Sequence, residues 1–180
     1  MILEGNKVYL RYVQIDDVNH TYYEWMNDKD TNQYMETRFY PQTIESIRDF
    51  VTKHQNKADE PFFAICDKYT NKHIGNIKLG PINYNHRTAD ISYFIGDKSY
   101  RGQGVATEAI NLVCQYAFDV LGLAKLKAGT YNGNIASESV LKKNGFILEG
   151  TLRKQVYTTG GQRANCCLWG LLAEEYYMNR

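Results

Sequence analysis

Ser99-Tyr100-Arg101-Gly102-Gln103-Gly104-Val105-Ala106-Thr107-Glu108-Ala109 governs how the rest of the chain is read. Ahead of it, Ala89-Asp90-Ile91-Ser92-Tyr93-Phe94-Ile95 is apolar and aromatic, the composition of a strand. Behind it, Ala106, Ile110, Val113, Ala117 and Val120 share one face of a helical repeat that stops before Gly122. Strand, glycine loop, helix gathers unpaired backbone N–H groups and the positive end of a helix dipole at one point. An anion is stabilised there, and glycine lets it approach the backbone closely.

Spacing narrows the choice of anion. No Gly-Lys-Ser/Thr follows the glycines, which excludes the phosphate loop of nucleotide hydrolases. The third glycine of the dinucleotide fingerprint is missing, and the segment lies mid-chain. Arg101-x-x-Gly104-x-Ala106 does fit Arg/Gln-x-x-Gly-x-Gly/Ala, the pyrophosphate loop of the GNAT acetyltransferases. The chain resembles that family here and again in Asn134-x-x-Ser137, Lys143-Asn144-Gly145-Phe146 and Glu149-Gly150. The resemblance spans nearly all of it.

Bulk properties agree with a soluble enzyme of one domain, residues 1–180. The 180 residues can bury a sizeable core, and 43% hydrophobic with 23% charged residues is ordinary globular composition. A formal net charge of +1 gives no field favouring nucleic acid or an anionic membrane. Cys66, Cys114, Cys166 and Cys167 form no Cys-x-x-Cys pair and no zinc spacing, so free thiols in a reducing cytoplasm and no metal are expected. Met1-Ile2-Leu3-Glu4 lacks the look of a signal peptide, and no apolar run approaches the ~20 residues of a membrane span.

Along the chain, Val8–Val13 reads as a first strand, with Asp16 or Asp17 as cap for a helix carrying Val18, Tyr22, Trp25 and Met26. Thr43 caps a second helix with Ile44, Ile47, Val51 and His54 on one face. Strands at 62–66, 73–79 and 89–95 read as an antiparallel meander. A strand at Lys125–Thr130 closes a parallel, right-handed strand–helix–strand unit. A short helix, 135–144, ends at Gly145 with Phe146 folding back on Leu141, before a hairpin turning at Thr158–Gln162. The expectation is a mixed α/β (α+β) fold: a mostly antiparallel sheet of six or seven strands with helices on both faces, as in GNAT proteins. The resemblance further implies that the strands flanking the central helix splay apart around the cofactor.

The resemblance implies acetyl-CoA as co-substrate, with the amides of Gln103, Gly104, Val105, Ala106 and Thr107, beside Arg101 and Gly102, on its pyrophosphate. Tyr93-Phe94-Ile95 would supply a backbone N–H, most simply that of Ile95, to the thioester carbonyl, where such a donor is worth roughly a hundredfold in rate. An alkylamine has a pKa near ~10 and must lose a proton before attack. Asp90 is the first candidate base, by its place in Ala89-Asp90-Ile91, and Glu36 the second; an ion-paired strand residue and an exposed loop charge are their plain alternatives. Many relatives carry a tyrosine acid four residues before the Gly-Phe pair's glycine, where this chain has Leu141. Ser137 or Tyr131 could replace it, although Asn134 and Ser137 also suit helix capping. Asn134 would meet the pantetheine arm and Lys142 a phosphate. Direct transfer needs no covalent residue, which leaves Cys114 to packing.

The resemblance implies a small-molecule amine as acceptor, with a nucleotide-linked amino sugar as the first expectation. Tyr23–Asp28 with Glu36–Phe39 is similar to amino-sugar-modifying members, where Arg38 could pair with a phosphate. Val8–Arg11 and Leu168–Leu172 are more similar to the ribosomal-protein N-terminal branch, which makes a protein N-terminus the alternative. A non-catalytic acyl-CoA-binding module is the third reading. A homodimer through an edge strand or Tyr176-Tyr177 is an option.

Overall fold

Phe62-Phe63-Ala64-Ile65-Cys66 contains no polar residue because both faces of its strand are covered. In the computed structural model, which describes residues 2–55 and 57–178, it belongs to a single mixed sheet. The strands are β1 (Ile2–Glu4), β2 (Val8–Tyr12), β3 (Phe62–Asp67), β4 (His73–Asn83), β5 (Thr88–Ile95), β6 (Lys125–Tyr131), β7 (Ile147–Tyr157) and β8 (Arg163–Leu172). They run in the order β1-β2-β3-β4-β5-β6-β8-β7. Every neighbouring pair is antiparallel except β5 and β6.

The α-helices among the described residues are α1 (His20–Asn27), α2 (Lys29–Asn32), α3 (Ile44–His54), α4 (Val105–Gln115), α5 (Ile135–Lys143) and α6 (Ala173–Met178). On one face of the sheet, Phe62, Ala64 and Cys66 of β3 meet Tyr22, Trp25 and Met26 of α1 and Ile47 and Val51 of α3. On the other, Phe63 and Ile65 join Val105, Ala109, Ile110, Val113 and Cys114 of α4. The two-residue period of the strand thus assigns its side chains to two cores.

Local chemistry sets the helix ends. Thr43 and Ser46 exchange side-chain-to-backbone bonds of 3.0 and 2.9 Å, a capping box that starts α3 at Ile44. The cap of α1 is Asn19, not Asp16 or Asp17. Asp17 is drawn away by Arg11, whose guanidinium grips it with two bonds of 2.7 Å. Gly145, at φ 84°, ends α5 with Phe146 N–H on Leu141 O and Gly145 N–H on Lys142 O, the paired bonds of a Schellman turn. Leu141 is completely buried by this turn.

Three departures from the pattern reading have clear causes. The sheet gains an eighth strand, Ile2–Glu4, which is too short to carry a periodic signal. Val120 is exposed, because α4 continues as a π-helical turn over Tyr116–Val120, with Leu121 N–H on Tyr116 O. The wider turn rotates the apolar face onto Ala117 and Phe118. Asp90 takes Lys127 as its partner, while the nearby Arg87 donates to Gly122 O. Among the described residues no helix is long and apolar enough to cross a membrane.

The parallel pair positions everything that follows. Only Thr88↔Lys125, Ala89↔Leu126 and Asp90↔Lys127 are paired, although β5 runs on to Ile95 and β6 to Tyr131. Beyond Asp90 the two strands diverge and leave a wedge between their C-terminal ends.

Candidate active site

The α4 loop stands at the open end of this wedge. Gly104, the N-cap of α4, has φ 80° and Gly102 has φ 76°, left-handed conformations that cost other residues roughly 1–2 kcal/mol. Nothing lies within 4 Å of where a Cβ on Gly102 would stand, so the concave side is clear. No protein acceptor among the described residues takes the backbone N–H groups of Gly102, Gln103, Gly104, Val105, Ala106 or Thr107. Six consecutive free amides over a helix N-terminus match the chemistry of a pyrophosphate. Arg101 turns the other way: its guanidinium donates to Ile95 O at 2.9 and 3.2 Å and to Thr31 Oγ1 at 2.8 Å. It braces the loop from behind.

Backbone alternation sorts the three residues at the end of β5. Gly96 N–H bonds Ile74 O on β4, so the Ile95 amide points to the opposite edge, into the wedge. Phe94 shares the direction of Gly96, and its ring packs with Tyr22 and Trp25; it is not brought to the wedge. The Tyr93 side chain crosses it, with Oη 2.8 Å from Oγ of Ser137 on α5. Burial raises the Tyr93 phenol above its ordinary range. Asn134 accepts from Ser137 N–H at 3.3 Å and so caps α5 while fixing the serine. Lys142 lies with its ammonium 5.4 Å from the Trp169 ring centre, toward β8.

A second cluster forms at the end of β6. Tyr131 donates to Glu36, which lies in a single 3-10 turn, Glu36–Phe39, and its oxygen accepts from Arg38 at 3.1 Å. Arg38 also donates to Met35 O at 3.0 Å and to Tyr157 O on β7. Tyr34 leans edge-on against Tyr131, ring centres 6.0 Å apart, and reaches Gly133 O. Burial, and then the Glu36 carboxylate, push the Tyr131 phenol up, so it keeps its proton at neutral pH. Glu36 is exposed.

Asp90 and Tyr131 sit differently. Asp90 lies at the last parallel rung, half-exposed, its carboxylate 3.0 Å from the Lys127 ammonium. Of the sequence candidates, the fold gathers Tyr93, Ile95, Ser137 and Asn134 at the wedge and joins Glu36 to Tyr131. Asp90 stands apart from both groups. Sequence reading missed the Tyr93–Ser137 hydroxyl contact and the bracing by Tyr34 and Tyr157, which no local pattern signals. Among the described residues no cluster of His, Cys, Asp or Glu is placed to hold a metal ion.

Comparison with known proteins agrees with this geometry. Residues 7–147 match the model of the acetyltransferase (GNAT) domain. The chain is 34% identical to a probable N-acetyltransferase of Bacillus subtilis, YjcK, over 88% of its length and 91% of the relative's. It is 29% identical to the spermidine N(1)-acetyltransferase of Escherichia coli strain K12, covering 88% of this chain and 83% of that one. The crystal structure of spermidine N-acetyltransferase from Vibrio cholerae, in complex with CoA and spermine, superposes with a TM-score of 0.86 at 23% identity, covering 96% and 99% of the two chains. The wedge, the free amides of the α4 loop and the matching domain make this chain a member of the GNAT family, an acetyl-CoA-dependent N-acetyltransferase acting on an amine.

Proposed function

We propose that the acceptor is a small cationic amine of the polyamine class and that Glu36 draws and deprotonates it. One observation carries this reading: in the turn at Tyr131 the carboxylate is exposed, while the guanidinium of Arg38 is committed to three protein oxygens. An ammonium has a charge to meet there; the phosphates of a sugar nucleotide have no free guanidinium. The spermidine acetyltransferases among the relatives support the same class. An amino-sugar nucleotide and a protein N-terminus, the two branches read from the sequence, are the competing acceptors. We read residues 1–180 as one such domain, working as a cytoplasmic enzyme, in keeping with its free cysteines.

Bound acetyl-CoA supplies the acetyl group as an activated thioester. The amides of Gly102–Thr107 bind and orient it, and the Ile95 N–H donates to its carbonyl oxygen. Glu36 Oε receives the proton of the incoming ammonium. Tyr131 Oη, protonated and fixed between Glu36 and Arg38, is the group that can give a proton up. Ser137 holds Tyr93 across the wedge and is the second proton donor.

The test is thiol release from acetyl-CoA with spermidine, UDP-amino sugars and N-terminal peptides, alongside CoA binding by calorimetry. Turnover highest on spermidine, and lost in Glu36→Gln with CoA binding intact, is the expected result. Turnover confined to a sugar nucleotide or a peptide sinks the polyamine reading.

A further inference from the structure

The hairpin joining β1 to β2 is tied to α4 by a single side chain. Glu108, in the first turn of that helix, accepts three consecutive backbone N–H groups: Asn6 at 2.8 Å, Lys7 at 2.7 Å and Val8 at 2.8 Å. The contact is so close that a Cβ on Gly5 would stand 2.6 Å from Glu108 Cδ. A carboxylate with three amide donors holds the hairpin in register with the helix. It also sets a negative charge one turn from the point where an anion is to bind, which on its own opposes that binding.

Lys7 reverses the sign. Its Nζ lies 2.7 Å from Gln103 O and 3.3 Å from where a Cβ on Gly104 would stand, beside the run of free amides. One of the three ammonium donors is used on Gln103, and two remain. No carboxylate among the described residues forms an ion pair with it. A cation delivered to this spot by a buttressed hairpin, with donors to spare, is placed to meet a phosphate.

We propose that Lys7 is a further ligand of the coenzyme pyrophosphate and that Glu108 is its positioning residue. The proposal rests on coenzyme A occupying the α4 loop, which the wild-type protein tests by itself. Glu108 acts through the backbone of the hairpin, and Lys7 reaches the ligand.

The experiment is calorimetric titration of wild type, Lys7→Gln, Lys7→Arg, Glu108→Ala and the Lys7→Gln/Glu108→Ala double variant with CoA and 3′-dephospho-CoA. Pantetheine, which has no phosphate, is titrated by NMR, and melting curves check the fold. Lys7→Gln should bind CoA about tenfold more weakly, a charge-assisted hydrogen bond lost at an exposed site. 3′-Dephospho-CoA should show the same loss, pantetheine none, and Lys7→Arg should recover most of the affinity. Glu108→Ala should weaken CoA similarly, and the double variant no further than the worse single one. Equal loss on pantetheine would make Lys7 structural, and a loss that vanishes with 3′-dephospho-CoA would move it to the 3′-phosphate. Unchanged CoA affinity in Lys7→Gln, or full additivity with Glu108→Ala, would also overturn the proposal.

Discussion

Six consecutive residues, Gly102 to Thr107, offer backbone amides at the proposed cofactor end of the site, whereas the proposed acceptor end is built around side chains up to 95 positions apart. The first depends on chain direction and on two left-handed glycines, and hardly on which side chains flank them. The second depends on Glu36, Arg38, Tyr131 and Tyr157 arriving together from three parts of the chain. An element built from backbone can stay fixed while the ligand's other half varies. On the proposed reading, a backbone-built cofactor cradle is paired with an acceptor site that side-chain substitution can retune.

Gly104→Val should break the cradle most severely. A β-branched residue at φ 80° is strained, and re-aiming two or three amides should cost about a hundredfold in CoA affinity by calorimetry. Glu36→Gln should do the converse: kcat/KM for the amine falls about a hundredfold, in the range of a lost general base, while the CoA Kd stays put. Tyr131→Phe should lower kcat about tenfold. Because the folded-state pKa of Tyr131 is raised, its proton is present through neutral pH and lost only above the ordinary tyrosine range. The alkaline fall in wild-type kcat therefore starts above about pH 10 and is absent in the Phe variant. Asp90→Asn should change kcat/KM by less than about threefold, since the half-exposed carboxylate is already balanced by Lys127. A large loss there would hand the base back to Asp90. Gln103→Ala is the smallest, under about twofold in CoA affinity, because its side chain is committed to Ser99 O and the substitution keeps the backbone amide.

The same contrast explains what could be read from the sequence. The loop, its strand and its helix are contiguous, so glycine spacing and apolar periodicity sufficed to place a helix directly behind the glycines, where the fold starts α4 at Val105. Thr43 and Gly145 were equally legible, because capping is a matter of three or four neighbouring residues. The π-turn at Tyr116–Val120 was not, since nothing in a 3.6-residue pattern announces a wider turn. Nor could spacing show that Arg38 spends its guanidinium on Tyr131 and Tyr157, contacts made only after the sheet closes. Leu141 was visible as a missing tyrosine; its complete burial beneath the Schellman turn shows that the position serves the core.

The short parallel seam has a thermodynamic consequence. Among the described residues, three ladder pairs join β1–β5 to β6–β8, a narrow strand junction within a sheet whose core runs across it. A ligand lying in the wedge touches both and adds its binding free energy to their docking, growing as the logarithm of its concentration over Kd. Amide exchange in β6 and β8 should then slow on CoA addition, including at amides the ligand never reaches. Bound coenzyme is then expected to add to the cohesion of the fold across this junction.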